Sequence, residues 1–424
     1  MKKISFIFAI IAVLVIGLIG GYFLSRNNFF DRLSSPKDKY TAFLMEVYDK
    51  IKENYWDKIP DERLLELYTA GAEKFAGQVV TQKPKSRNDL QKTLAKVVAS
   101  LPDDAKKKEF SVSLADAVLA TLEPIGRSRL YSQKEEANLA NEVKNINLEV
   151  DLYKNLGIAK NASPEAISKA YEEKTQELTK ESSPEAKQKL AEVNKAFQTL
   201  SDEAARKTYD QTGVESTITS KLLRPDIFYL HLTRFSPTTI DDLIRVTGKV
   251  DKGEILETLI FDLRDNIGGA IDGLPYFLGP FIGNDAYAYQ FFHQGEKTDY
   301  KTKTGWLNSL VRYKKIVILV NGGTMSSAEV MASTFKKYNV GVLVGTITKG
   351  WGTVEKVFEL QNQIDKGEKY SVFLVHSLTL REDGKPIEGA GVEPNINITN
   401  KGWEKELYSR FGSQTLIAAV EEVL

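Results

Sequence analysis

The sequence predicts an α/β core, a mixed sheet with flanking helices, joined to a helical N-terminal region, a small all-α insert and one N-terminal transmembrane helix. Three observations carry this. In residues 315–353 an apolar run at 316–320 reads as a buried strand, Asn321, Gly322 and Gly323 break it, and a helical pattern follows over 327–337. A second buried run at 340–344 then leads into a glycine turn with Lys349 and Trp351, so the unit reads as a βαβ crossover with polar groups gathered at the strand ends. Over residues 39–77 apolar side chains recur every three or four positions, as in Leu44, Val47, Tyr48, Ile51 and Tyr55, which predicts two helices parted at Pro60. Residues 4–24, ISFIFAIIAVLVIGLIGGYFL, hold no charge and are long enough to cross about 30 Å of hydrocarbon at ~1.5 Å per residue.

The expected organisation follows the same signals: a membrane anchor at residues 1–27, a helical region at 28–148, a helical insert at 149–213, the α/β core at 214–403 and a C-terminal helix at 404–424. Lys2 and Lys3 precede the apolar run and no A-x-A cleavage site follows it, so the segment is expected to stay as a single-pass anchor in the cell membrane. Arg26, Arg32, Lys37 and Lys39 beyond the span leave the charge count even, and the three-residue head is the feature that points to a body outside the cytoplasm. Within 28–148, residues 81–108 are lysine-rich and contain two prolines, which predicts a loose connection or a surface helix, and residues 113–122 read as another helix.

Composition removes several kinds of chemistry. Of 424 residues 42% are apolar and the formal net charge is zero, which gives no ground for a nucleic-acid partner. There is no cysteine, so disulfides, thiolate metal sites and a cysteine nucleophile are excluded. With only His231, His293 and His376, histidine-rich metal sites and a Ser-His triad have few candidates; no metal or cofactor is expected.

Two readings stand for Ser326. It heads a strand, glycine turn, serine, helix order that can expose a nucleophile, with Lys349 in the next glycine turn as a candidate base. It also begins Ser326-Ser327-Ala328-Glu329, the S-x-x-E capping box, in which serine and glutamate satisfy backbone N–H groups at a helix start. Upstream, FDLRDNIGG places Gly268 and Gly269 at the end of a buried strand, where glycines permit φ > 0 and can aim N–H groups at an anion.

These motifs, in this order, resemble the C-terminal processing (tail-specific) serine peptidases. NGG before the serine is similar to that family's strand followed by G-[ST]-A-S-A-S-E, whose central serine falls on Ser326. FDLRDNIGG resembles its LDLRNNPGG, and Tyr229 to Phe235 resembles its strand after the PDZ insert. The hairpin turn at 381–384 with PIEGAGVEPNI resembles its I-x-G-x-G-I-x-P-D ending, with Asn395 in the place of the aspartate; Leu122-Glu123-Pro124 resembles its leucine-acid-proline turn. The resemblance implies a hydrolase acting on protein or peptide substrates by a Ser-Lys mechanism: Ser326 as nucleophile, with N–H groups of Ser327 and of Gly268 or Gly269 as oxyanion donors.

One position departs from that pattern. Aligning the family's T-F-G-K-G-T-V on Gly352-Thr353-Val354 puts Trp351 where the lysine belongs and Lys349 two residues earlier. Either Lys349, expected to be buried against Trp351, replaces the base, or the chain is a catalytically dead peptide-binding pseudopeptidase or scaffold.

Residues 151–213 take the place of the PDZ domain and resemble a J-domain, through Leu156-Gly157, Ala170-Tyr171, Asn194 with Ala196-Phe197, Leu200-Ser201-Asp202, and Arg206 with Tyr209-Asp210. The His-Pro-Asp signature would fall near Thr179-Lys180-Glu181 and is missing, so no stimulation of a Hsp70 is expected. A spacer, a substrate-binding lid and a docking face are the roles left open.

Overall fold

A computed structural model describes residues 38–424 apart from 148 and 251–255. The predicted transmembrane segment at 4–24 lies outside the described residues, and among those described no helix is long and apolar enough to cross a membrane. The N-terminal region begins with α1 (Lys39–Asn54) and α2 (Asp61–Ala76), which meet the expectation of two helices about Pro60. They are followed by α3 (Arg87–Ser100) and α4 (Asp104–Ala120). Of the two readings of residues 81–108, a loose connection or a surface helix, the helix is the one present. Leu90, Leu94, Val97 and Val98 of α3 stand on one stripe and are buried, and the Ser86 hydroxyl caps the helix by accepting from Asp89 N–H. Lysines and prolines dominated the composition, but the spacing of four apolar side chains decided the packing.

Strand β1 (Arg129–Ser132) and α5 (Gln133–Val143) lead into the insert, which holds α6 (Leu152–Leu156), α7 (Pro164–Leu178), α8 (Pro184–Leu200) and α9 (Glu203–Thr212). The insert has its own core of Leu152, Tyr153, Leu156, Ile167, Val193, Ala196 and Leu200.

The chain then enters the α/β core: β2 (Ile218–Arg224), β3 (Ile227–Leu232), α10 (Thr239–Val250), β4 (Thr258–Asp262), α11 (Leu274–Ile282), β5 (Tyr287–His293), β6 (Glu296–Lys301) and α12 (Asn308–Val311). It continues through β7 (Lys315–Val320), α13 (Ser327–Lys337), β8 (Val342–Gly345), β9 (Thr353–Glu359), β10 (Tyr370–Leu380), β11 (Ile396–Asn397), α14 (Trp403–Phe411) and α15 (Gln414–Val423). Among the described residues one sheet runs β11-β8-β7-β4-β3-β2, parallel except for the antiparallel edge pair β2–β3. Strands β3, β4, β7 and β8 are runs of Val, Ile, Leu and Phe because both faces are covered. One face packs on α10, α11, α13 and β5, and the other on α14 and α15. The second sheet is antiparallel, β1-β10-β5-β6 with β9 also paired to β10. Its β10 shares a core with α1 to α4, in which Phe43 meets Tyr370 edge to face at 5.9 Å. Thus residues 129–132 of the helical N-terminal region are a strand of the core.

In the parallel sheet β4 and β7 end side by side, Asp262 level with Leu319. The loops leaving those two strands carry Gly268 and Ser326, at the carboxyl ends where open α/β sheets gather their functional groups.

Candidate active site

Ser326 stands between the turn after β7 and the first turn of α13, with φ 57° and ψ −125°. Positive φ is rare for a side chain with a Cβ, and a helix-capping serine has β-region dihedrals instead. The residue nevertheless carries the predicted capping box with Glu329, whose N–H also donates to Ser326 carbonyl at 2.9 Å. The glutamate half of the capping box is made: Ser326 N–H donates to Glu329 Oε2 at 3.0 Å. The geometry is that of a sharp strand-to-helix turn that lifts a side chain out of the sheet.

Two loops hold this turn in place. Asn321 Oδ1 accepts from the N–H groups of Asp265, Gly323 and Thr324 at 3.0 to 3.1 Å, and the Thr324 hydroxyl donates to Leu263 carbonyl at 2.8 Å. Buried Asn266 adds a second bracket. Its carbonyl accepts from Met325 N–H at 2.9 Å, its Nδ2 donates to Leu232 carbonyl at 2.8 Å, and its Oδ1 accepts from Gly268 N–H at 2.8 Å. Gly268 lies directly against the serine: a β-carbon there would stand 2.6 Å from Ser326 Cβ and 3.0 Å from Oγ, so only glycine fits.

The four predicted groups Ser326, Ser327, Gly268 and Gly269 are brought together, with different chemistry at each. Gly268 N–H is taken up by Asn266. The N–H groups of Gly269 and Ser327 donate to no acceptor among the described residues, and the Ser327 hydroxyl donates to Gly269 carbonyl at 2.9 Å, tying the two loops. They are the two donors left for an anion.

Glu329 is fully buried and joins Ser326 to the second glycine turn. Its Oε1 accepts from the Thr348 hydroxyl at 2.5 Å and Gly350 N–H at 2.7 Å, and its Oε2 from Trp351 N–H at 2.7 Å as well as from Ser326. Burial pushes this carboxyl above the usual glutamate range, while the hydrogen bonds from Thr348, Gly350, Trp351 and Ser326 oppose the shift.

Lys349 N–H donates to Thr324 carbonyl at 2.9 Å, which sets the lysine backbone beside a residue two positions from Ser326. Its side chain is exposed and bonds to nothing among the described residues, so the expected burial against Trp351 is not there. Trp351 meets Arg127 instead. Its guanidinium carbon lies 3.4 Å from the centre of the Trp351 ring, and its nitrogens donate to Thr353 Oγ1 and Glu388 Oε1, both at 3.0 Å. One indole face is thus stacked on an arginine. Among the described residues no group of three His, Cys, Asp or Glu side chains is placed to hold a metal ion.

Sequence reasoning missed three residues of this site. Asn266 had a signal, an asparagine two positions before a Gly-Gly turn, where its side chain can bond backbone two residues on. Arg127 and Glu388 had none, since each meets the turn across the fold.

Residues 226–398 match the family model described as Peptidase family S41, and residues 151–210 match the DnaJ domain. Residues 226–398 are therefore similar to an S41-type serine peptidase core and residues 151–210 to a J-domain. Among curated proteins it is similar to the carboxy-terminal-processing protease of Bartonella bacilliformis, 25% identical over 208 residues, which are 45% of this chain and 46% of that protein. It is also similar to the carboxy-terminal processing protease CtpA of Bacillus subtilis, 27% identical over 196 residues, 45% of this chain and 39% of the relative. The chain spans less than half the length of these relatives. Among solved structures, the photosystem II D1 C-terminal processing protease superposes with a TM-score of 0.50 at 16% identity over 85% of this chain and 93% of that one, a likeness of fold.

Proposed function

We propose that the chain is a serine endopeptidase of the C-terminal processing kind, cleaving proteins or peptides near their C-termini by acyl transfer. The observation that carries this reading is the backbone of Ser326. A φ of 57° with ψ −125° at a non-glycine residue costs about 1–3 kcal/mol and persists only where surrounding structure enforces it. A helix cap needs no such conformation; a sharp strand-to-helix turn that presents a nucleophile uses one.

In this mechanism Ser326 Oγ attacks the peptide carbonyl carbon and its proton passes to the uncharged amine of Lys349. The N–H groups of Gly269 and Ser327 hold the oxyanion. As the C–N bond breaks, the leaving amine takes the proton from Lys349, and water then cleaves the acyl-enzyme by the same route. Lys349 must turn inward from its exposed position; two residues of chain, at most ~7.6 Å between α-carbons, separate Thr324 from Ser326, and a lysine side chain covers most of that span.

A second reading rests on a specific observation: Trp351, in the place of the family lysine, is stacked under Arg127 while Lys349 makes no bond to the serine. On that reading the chain grips peptides without cleaving them. Turnover of an unstructured peptide with an apolar C-terminus separates the two. The enzyme reading expects cleavage that Ser326→Ala and Lys349→Ala each abolish, since dyad partners act as a unit. Unchanged turnover in Lys349→Ala removes that lysine, and tight binding without cleavage by the unaltered chain removes the mechanism.

The anchor at residues 4–24 belongs to the same proposal, with the body outside the cytoplasm; added protease should digest the body on spheroplasts, and its protection would reverse the orientation. The insert is proposed to act without a Hsp70, because no histidine stands in the α7–α8 connection. Adding the chain to a Hsp70 ATPase assay should leave the rate unchanged, and clear stimulation would overturn the point.

A further inference from the structure

A cleft of about 1210 Å3 separates the J-type insert from the core. Its floor is one face of the β2–β3 hairpin. Thr219 pairs with His231 and Lys221 with Tyr229, so these side chains rise on the same side of the sheet. The roof is supplied by the insert, where Tyr171 of α7 and Phe197 of α8 stack with ring centroids 4.0 Å apart and 12° between planes. One end reaches Asp265 and Ile267. Ile267 immediately precedes Gly268, the residue pressed against Ser326, and is itself 41% exposed. The cleft therefore reaches the loop that carries Gly268, although neither Gly268 nor Ser326 lines it.

The walls say what chemistry fits. Asn138 and Asn141 on α5 present side-chain amides, while on α8 Asn194 Oδ1 accepts from the Tyr171 hydroxyl at 3.0 Å and Gln198 Nε2 donates to Ser216 carbonyl at 3.4 Å, which leaves the Asn194 NH2 and the Gln198 carbonyl. An amide offers a donor and an acceptor together, which matches the groups along a peptide backbone. The charges in the walls balance, with Lys195, Lys221 and Arg234 set against Glu142, Glu149 and Asp265. Two of these cations are already engaged: Lys195 pairs with buried Glu215, and Arg234 donates to Glu142 carbonyl at 3.0 Å and Asn145 Oδ1 at 3.2 Å. A polyanion or a polycation would gain little here, and an uncharged chain loses nothing. From the level of Lys221 and Tyr229 to Thr233 the floor is four residues of strand long, about 13 Å at ~3.3 Å per residue, room for about four residues of bound chain.

We infer that this cleft holds an extended, uncharged polypeptide segment leading to Ser326, and that the Tyr171–Phe197 stack receives one of its apolar side chains. The inference rests on the peptide-directed reading of the site and adds that the insert, rather than the core, selects the segment. A stacked aromatic pair on a helical surface gives a rigid apolar platform, so little side-chain freedom is lost on contact.

The chain has no cysteine, so single introduced thiols report without background. Full-length chain with Ser326→Ala would carry Asn194→Cys on the roof, Thr219→Cys on the floor, or Lys169→Cys, which is exposed on α7 and does not line the cleft. The probe is a short unstructured peptide of zero net charge containing leucine, phenylalanine and one thiopyridyl-activated cysteine. Disulfide trapping should be about tenfold faster at both cleft positions than at Lys169→Cys, because a bound probe raises the local thiol concentration, and the same peptide without cysteine should compete it away. Equal rates at the three positions, or equal trapping of a polyglutamate probe, would overturn the inference. Cleavage by the unaltered chain is read separately. Cleft trapping without cleavage leaves this inference standing and removes hydrolysis; cleavage without preferential trapping overturns this inference alone.

Discussion

Ser326 and Glu329 are the residues on which the site turns, and each can be tested by a change of one group. Replacing Ser326 by alanine removes the hydroxyl but keeps the strained backbone, whereas glycine removes both. Ser326→Gly should therefore be more stable than Ser326→Ala by about 1 kcal/mol, the strain relieved less the extra chain entropy of glycine, although neither should cleave peptide. Paired urea denaturation curves would read this, and a less stable glycine variant would show that the conformation is not strained. Glu329 accepts from four donors, so the amide of Glu329→Gln would point a second N–H at two of them. The expected loss is about 2–4 kcal/mol, with Ser326 and the Gly350–Trp351 turn released from one another. A loss under about 1 kcal/mol would mean that the turns are held by other contacts.

The elements joined to this site include the insert, which is pinned at the start of α9. Asp202 caps that helix and pairs with Arg245 and Lys249 of α10, and Arg245 also pairs with Asp242 at 2.6 Å. Burial works against the Asp202 charge, but Lys249, the Ala205 N–H and Arg245 outweigh it and hold the carboxyl below the usual range. Arg245→Ala leaves two carboxylates poorly compensated. Amide exchange in α9 and α10 should rise about tenfold while β4 and β7 stay protected, since the insert has a core of its own and can loosen without unfolding the sheet. Equal loosening of β7 would show that insert and sheet open as one unit.

At the scale of the whole molecule, pH acts through the antiparallel sheet that joins the N-terminal helices to the core. His376 on β10 stacks on His293 of β5 with ring centroids 4.2 Å apart. Burial, then the charge of Lys356, then His293 lower its pKa from 6.5 to about 4. Between those values the unfolded chain takes up a proton that the folded chain refuses, so stability present above pH 6.5 is lost as pH falls towards 4. The imidazole is partly buried, and about 1 kcal/mol is expected once solvent screening is allowed for. Denaturation midpoints at pH 7 and pH 4.5 should differ less in His376→Gln than in the unaltered chain, and an equal difference would remove this histidine as the source.

Much of this was legible beforehand because it is written in short spacings. Period and turn residues placed β4, β7, α13 and the Gly268-Gly269 turn, and resemblance to known families supplied the J-type insert without His-Pro-Asp. Period also held the signal for α3, which lysines and prolines obscured. The chemistry at each position was decided only in three dimensions. Ser327 meets Gly269 across 58 positions and Arg127 meets Glu388 across 261, and such partners leave no periodic trace. Folding spent Gly268 N–H on Asn266, turned the capping-box glutamate into the link between two glycine turns, and left Lys349 exposed while Arg127 took the face of Trp351. Sequence determines which groups the chain carries and which local bends it prefers; a hydrogen bond has few partners to share, and which donor wins which acceptor is settled only when distant strands are brought within about 3 Å.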